Sequence, residues 1–440
     1  MTEAMDKTCM EYVLKYMNPN LRSNLSRRCS TIRPIEESLV LPIQTLSVTP
    51  TSLQVNDITY NLGIIRHYPI EKTPESIQEI NEQGGLNYDV DIYGIRYEPD
   101  VPETTRDPWN AGEGYRFPTN RISEKNMKLV NEEQKFMDRI EELQEELLVL
   151  QLDDPDMNRK RINQLQEELT PLYHRYKRTS PPFDHYMLLT ILKNGAPLKI
   201  EVVGYTKLLP DAMKYLQSKV IGNRTLIVDT LRTEGAILDG LKIVSVKSLD
   251  IKTNATEVLN YLYYSLNPQN LFDSLEIHGD FAFKHPLVQT AQKLIFNDFG
   301  DEGRYQTMTT LKNRHVLVTH EIFFKEHVMD LIEFLMVEAE HGKCYQFRVH
   351  EDVIGEVQML MEALKEVEGA KVEKASSLIF PNSILLPMAN SLELLVDCLP
   401  DPQLSVDDKN VYNFRLKVQT ETELSESGAP MTRFLFSSSV

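Results

Sequence analysis

The sequence predicts an α/β fold: an irregular, leucine-rich-repeat-like strand and helix solenoid, with a small helical motif at its N-terminus, a small antiparallel sheet and an inserted antiparallel helical hairpin. Three observations carry this. Six short segments in the second half share the pattern apolar-x-apolar, with helix-like stretches between most neighbours. Two hairpin-like runs of alternating apolar residues lie far apart in the first half. Between those runs, two heptad-patterned stretches meet at an Asp/Pro turn.

Residues 1–38 are read as short helices. CMEYVLKYMNPNLRSNLSRRCSTIRPI places Val13, Leu14, Met17, Leu21, Leu25, Cys29 and Ile32 at three- and four-residue steps, the helical period. Pro19 breaks the chain between two helices. Helices this short bury too little to be stable alone, so they must rest on something larger.

Residues 39–68 and 183–205 are assigned to the small antiparallel sheet. In SLQVNDITYNL, Leu53 and Val55 and then Ile58, Tyr60 and Leu62 alternate around Asn56-Asp57, a turn pair that tolerates left-handed backbone. HYMLLTILKNGAPLKIEVV repeats the design around Asn194-Gly195. Residues 69–122, rich in Gly, Pro, Asp and Tyr and holding the only tryptophan, Trp109, are expected to be irregular loop.

Residues 123–178 are expected to form the helical hairpin. Phe136, Ile140, Leu143, Leu147 and Leu150 keep a heptad step, as do Ile162, Leu165, Leu169, Leu172 and Tyr176, and Asp153-Asp154-Pro155-Asp156 makes the turn. Two matching seams joined by a tight turn close on each other. A rigid brace is the favoured role, with a dimerising coiled coil as the alternative.

The repeat domain is assigned to residues 206–420. Its six segments are TLIVD (Thr225–Asp229), SLDIK (Ser248–Lys252), SLEIH (Ser274–His278), KLIFN (Lys293–Asn297), HVLVT (His315–Thr319) and QFRVH (Gln346–His350). Alternate side chains of a strand face opposite ways. The inward pairs are then Leu226/Val228, Leu249/Ile251, Leu275/Ile277, Leu294/Phe296, Val316/Val318 and Phe347/Val349, at steps of 23, 26, 19, 22 and 31 residues. Such steps suit irregular strand-plus-helix repeats. Between the pairs stand Ile227, Asp250, Glu276, Ile295, Leu317 and Arg348, the candidates for a protein-recognition face. Three aliphatics among those six also fit a second face covered by another element.

Helices are expected at LPDAMKYLQSKVIG, closed by Gly222, and at Glu257–Leu266, Arg304–Leu311, Lys325–Glu340 and Asp352–Val367. SLIF, LELLVD and YNFRLKV extend the stack to about Thr420, and residues 421–440 are expected to be a mobile tail.

Composition bounds the function. With 41% hydrophobic and 25% charged residues the 440-residue chain is globular in type. A formal charge of −18 argues against nucleic acid or anionic lipid as partner. The N-terminus lacks an apolar signal core, and no run suits a membrane span. Cys9, Cys29, Cys344 and Cys398 have neither metal-ligand nor disulfide-framework spacing. Reduced thiols in a cytoplasmic or nuclear protein are expected, and the sequons at Asn24, Asn223 and Asn254 are read as chance. No phosphate-cradling glycine loop, nucleophile elbow or Cys/His signature occurs. His320 and His327 stand seven apart, where a zinc helix needs four. No cofactor, metal, small-molecule substrate or catalytic residue is expected.

The N-terminal segment CMEYVLKYMNPNLRSNLSRRCSTIR resembles a divergent F-box. Val13-Leu14-Lys15-Tyr16-Met17 stands at the motif's Ile-Leu-x-x-Leu, Asn18-Pro19 at its Asp-Pro, Leu21 at the following leucine and Arg28-Cys29 at the closing basic-Cys turn. Its usual Leu-Pro-x-Glu opening is replaced by Met5-Asp6-Lys7-Thr8. FDHYMLLTI, LPDAMKYLQSKVIGNRT, HPLVQTAQKLIF and LKNRHVLV are similar to the F-box-associated domain of the nematode-expanded F-box C proteins. The likeness covers about residues 9–65 and 183–350. It implies a substrate adaptor of an SCF-type ubiquitin ligase, docking through Val13, Leu14, Met17, Pro19, Leu21 and Leu25 onto the ligase adaptor while the repeat face holds an unknown protein. The alternative is a scaffold outside ubiquitin transfer whose N-terminal helices only cap the solenoid.

Overall fold

In a computed structural model, the structure describes residues 6–69, 72–97, 122–153, 157–235, 238, 240–266, 272–279, 283–297, 305–319, 323, 325–338, 340–372, 382–401 and 411–420. The Asp154–Asp156 turn, Trp109, SLIF and the 421–440 tail lie outside them. The fold is mixed α/β. Met1–Thr49 with Val220–Val440 makes one compact unit, and Pro50–Lys219 makes the other.

The chain opens with α1 (Lys7–Tyr16), α2 (Pro19–Arg28), α3 (Arg33–Ser38) and β1 (Leu41–Val48). Pro19 begins α2 at a position where no backbone donor is needed, and the Asn18 side chain accepts from Asn20 N at 2.9 Å. The helical stripe inferred from spacing is only partly right. Leu14 is buried, but Val13 and Leu21 are exposed, and α2 turns Arg22, Ser23 and Ser26 inward instead.

The second unit holds β2 (Ser52–Val55), β3 (Ile58–His67), α4 (Glu75–Glu82), α5 (Ile122–Asp153), α6 (Arg159–Lys177), β4 (Asp184–Lys193), β5 (Ala196–Gly204) and α7 (Leu209–Val220) as far as Lys219. Strands β2-β3-β4-β5 pair antiparallel in that order. Their tight turns use left-handed backbone at Asn56 (φ 54°), Asn194 (φ 49°) and Gly195 (φ 78°), as two-residue hairpins require. The 69–122 stretch is not wholly irregular, because α4 forms there with Ile77 buried. Eight residues with one buried apolar group leave no repeat for periodicity to detect. Helices α5 and α6 run in opposite directions, with Arg139 3.5 Å from Glu168 and Arg161 2.8 Å from Glu146. Ile140, Leu143, Leu165 and Leu169 form their shared core. Tyr173 joins that core while Tyr176 is exposed, correcting the last seam residue.

The first unit resumes with β6 (Thr225–Thr233), β7 (Lys242–Ile251), α8 (Ala255–Ser265), β8 (Ser274–Ile277), α9 (Pro286–Thr290), β9 (Lys293–Phe296), α10 (Tyr305–Met308), β10 (His315–Val318), α11 (Lys325–Glu338) and β11 (Cys344–His350). It ends with α12 (Ile354–Lys365), β12 (Lys371–Val372), β13 (Ser383–Pro387), β14 (Leu392–Pro400) and β15 (Val411–Thr420). Within this unit the strand order is β12-β13-β14-β15-β11-β10-β9-β8-β7-β6-β1. All twelve inward residues of the six repeat segments are buried, and the strands that carry them are neighbours in parallel. Val328, Leu331, Ile332 and Leu335 are the buried stripe of α11.

Three features of this sheet depart from expectation. Strand β1, assigned to the antiparallel sheet, pairs parallel with β6, aligning Leu41 with Leu226 and Leu46 with Leu231. Its four buried aliphatics align with the four buried residues of β6, Leu226, Val228, Leu231 and Thr233, a register choice that pattern alone cannot make. Beyond β11 the stack continues to Thr420, but β15, β14, β13 and β12 are antiparallel. The repeats at both ends are also out of phase. Leu249/Ile251 align with Leu231/Thr233 rather than Leu226/Val228, and Val316/Val318 with Tyr345/Phe347 rather than Phe347/Val349. Among the described residues, no helix is long and apolar enough to cross a membrane.

Candidate functional site

Two surfaces of the first unit hold the predicted residues. The first is the N-terminal helix group, which is pinned by a buried charge cluster. Arg22 and Glu36 are fully buried and Arg224 nearly so. Arg224 Nε donates to both Glu36 carboxylate oxygens, at 2.9 and 2.8 Å, and its Nη2 donates to Ser26 Oγ at 3.0 Å. Arg22 reaches Glu36 Oε1 at 3.2 Å and Val40 O at 3.0 Å. Ser23 Oγ donates to Val220 O at 2.8 Å. Burial, with the Arg224 charge alongside, pulls the Arg22 guanidinium below its ordinary range, while Glu36 pulls it back.

This clamp explains why α2 is turned with its polar side inward. An isolated buried charge is prohibitively costly, but paired and hydrogen-bonded charges are tolerated. The clamp turns Leu21 of α2 outward, and α1, which carries no residue of the clamp, exposes apolar groups of its own. Tyr16 is 79% exposed, Tyr12 64%, Leu21 60% and Val13 49%, with the Tyr12 and Tyr16 rings 5.5 Å apart. Of the predicted docking residues, Val13 and Leu21 are therefore available, Met17, Pro19 and Leu25 are half-buried, and Leu14 is core. Tyr12 and Tyr16 were missed because spacing gives no reason to look outside the apolar stripe.

The second surface is the face of strands β6–β11 and the adjoining β15 that lies opposite the buried repeat pairs. In register across it stand Arg232, Asp250, Glu276, Ile295, Leu317, Gln346 and Arg415. Four of the six predicted face residues share this row. Ile227 lies opposite Ser245 and Arg348 opposite Asn413, so Arg232 and Gln346 take their places. Strands β6 and β11 are longer than the five-residue segments TLIVD and QFRVH, so their register partners fall away from the central residue of each segment. Leu317 is only 7% exposed, which corrects its assignment to an open face. A short aliphatic side chain between register neighbours mid-sheet presents little surface of its own.

A polar knot gathers at the carboxyl ends of β7, β8 and β9, the edge where parallel sheets place their sites. Lys252 Nζ lies 2.6 Å from His278 Nε2, 3.2 Å from Asp250 Oδ1 and 3.9 Å from Glu276 Oε1. Asn297 Nδ2 reaches Glu276 Oε1, and lies 2.7 Å from His278 Nε2. Asp250, Glu276 and His278 offer donor atoms within 4.8 Å of one another, a set chemically suited to a divalent cation. The Lys252 ammonium already fills that role between the two carboxylates. Further along the row Arg415 Nε donates to both Asp397 oxygens at 3.2 Å. Burial pushes the Asp397 carboxyl up, against the pull of Arg415.

The second unit contains a cavity of about 600 Å³ lined by Arg66, Ser76, Asn81, Arg139 and Glu167 among others. Arg66 Nη2 donates to Gly94 O at 2.6 Å and its guanidinium lies 5.1 Å from the Phe183 ring centre. Nothing in the sequence pattern singled out this group. The buried Cys344 and Cys398 thiols are raised by burial, Cys398 to about 12, which disfavours the nucleophilic thiolate.

Comparison with known proteins returns one family, described as Domain of unknown function (DUF3557), matching residues 208–351. That range is about a third of the chain and runs from the start of α7 through β11. No curated protein and no solved structure matches.

Proposed function

We propose that the chain is a non-catalytic protein-recognition subunit, a substrate adaptor of an SCF-type ubiquitin ligase. The N-terminal helices dock onto the ligase adaptor. The parallel strands, read as an irregular leucine-rich-repeat-like solenoid, hold an unidentified protein. The observation that supports this reading is the exposure of Tyr12, Val13 and Tyr16 on α1 and of Leu21 on α2, the helix held from behind by Arg22, Glu36 and Arg224. Exposed apolar groups on a rigid support are what protein docking uses, and aromatic anchors dominate such interfaces. The polar row around Asp250 and Glu276 gives the reader face a charge pattern able to select partners.

The same clamp favours a second reading, in which the helices serve the sheet alone and the protein is a scaffold outside ubiquitin transfer. Capture of the purified ligase adaptor by the full chain separates the two. Docking predicts capture by the wild type, lost in Tyr16→Asp and Leu21→Asp with the thermal midpoint unchanged. A wild type that captures none, at concentrations of tens of micromolar, leaves the scaffold reading; a Leu14→Asp loss alone decides nothing, because Leu14 is core.

A further inference from the structure

Strand β5 is the outer strand of the second unit's antiparallel sheet, after β2, β3 and β4. One edge pairs with β4; no strand is paired with the other among the described residues. Its side chains are open on both faces: Leu198 is 62% exposed, Ile200 60%, Val202 54% and Val203 48%. A long apolar edge presents unpaired backbone donors and acceptors to any strand that fits, and natural proteins usually blunt it. Pro197 and a register shift interrupt the ladder at the hairpin end, and beyond it the only charged side chains on the strand are Lys199 and Glu201.

We propose that β5 pairs antiparallel with β5 of a second copy of this chain, about a two-fold axis at Ile200. The segment Leu198-Lys199-Ile200-Glu201-Val202 is complementary to itself in that arrangement. The axis places Ile200 opposite its own copy and Leu198 opposite the copy's Val202 on one face. On the other face Lys199 stands opposite the copy's Glu201, and Glu201 opposite the copy's Lys199. Within one chain Lys199 already pairs with Glu201, so the dimer joins two such pairs into a four-charge ring. A slip of one residue would set charged side chains against the apolar row, so the charges fix the register. A two-fold interface of this kind is closed and does not propagate into fibres. Its contact is smaller than the ~800 Å² per partner of a standard interface, so a micromolar dimer is expected.

Sedimentation equilibrium of the full chain from about 1 to 100 µM tests this, with the range set by typical weak-interface affinities. The wild type is expected to dimerise within it. Lys199→Glu places like charges opposite each other twice and should raise the dissociation constant about tenfold. Glu201→Lys should do the same, and the double exchange Lys199→Glu/Glu201→Lys should restore wild-type association. Circular dichroism confirms that each variant is folded. A wild type that stays monomeric throughout overturns the proposal, as does a dimer indifferent to both single reversals or one that the double exchange fails to rescue.

Discussion

Arg224, at the start of the parallel stack, clasps Glu36 of the N-terminal helices 188 residues away, its Nε 2.9 and 2.8 Å from the two carboxylate oxygens. With Arg22 on the same carboxylate, two guanidiniums share one buried negative charge. Glu36→Gln keeps the shape and removes the charge, leaving two buried cations side by side. Breaking such a set costs about 3–5 kcal/mol, whereas replacing all of it by apolar groups is often neutral. Urea unfolding should show the first unit of the single variant destabilised by about that amount. The triple change Arg22→Met, Glu36→Leu, Arg224→Met should recover much of it. An unperturbed Glu36→Gln would mean the clamp contributes nothing.

Leu14 and Leu21 belong to one sequence stripe but to opposite environments. Leu14 is buried and Leu21 is 60% exposed. Leu14→Ala should cost about 2–5 kcal/mol through lost burial and the cavity left behind. Leu21→Ala should stay within about 0.5 kcal/mol of wild type. Equal losses at both positions would show that the helices are turned differently.

How much of this was legible follows from what each signal depends on. The strands β6–β11 were readable because Leu275/Ile277 or Leu294/Phe296 declare a period of two within five residues. The hairpin turns were readable because Asn56 and Asn194-Gly195 answer a local backbone need. Register was not: whether Leu249 aligns with Leu226 or Leu231 depends on a neighbouring strand. The clamp was invisible for the same reason. Arg22, Glu36 and Arg224 are ordinary surface residue types until the fold brings them together, and their inward turn reverses what α2's spacing implied. The knot around Lys252 and His278 likewise exists only once β7 and β8 are in register.

Gly63 marks a close backbone approach within the second unit. A Cβ at this position in β3 would stand 1.9 Å from Gly84 O, inside contact distance of main chain that cannot swing aside. Ile64 and Leu86 exchange backbone hydrogen bonds at 2.9 and 2.8 Å beside it. Gly63→Ala must therefore separate the 84–86 segment from β3. Overpacking of this kind costs about 1–3 kcal/mol, and more when hydrogen bonds go with it. Hydrogen exchange should show faster exchange at Ile64 and Leu86 N–H. Protection equal to wild type would contradict the close approach.

His185 gives the second unit a predictable acid response. Its Nε2 is buried without a hydrogen-bond partner, with the Phe183 ring 5.3 Å away and Tyr205 at 6.4 Å. Burial, and then the nearby Arg66 charge, lowers its pKa from the ordinary 6.5 to about 4, with Asp184 opposing. Between those two values the unfolded chain binds a proton that the folded chain does not, so stability rises with pH across that window. Its contribution is complete above pH 6.5 and is lost as pH falls through about 4. His185→Phe removes the titrating group and keeps an aromatic ring. The difference in thermal midpoint between variant and wild type should therefore shift in the variant's favour from pH 6.5 down to 4. Other carboxylates titrate in the same range, so only this difference isolates the histidine. A difference that is flat with pH would mean the ring meets water in the folded state.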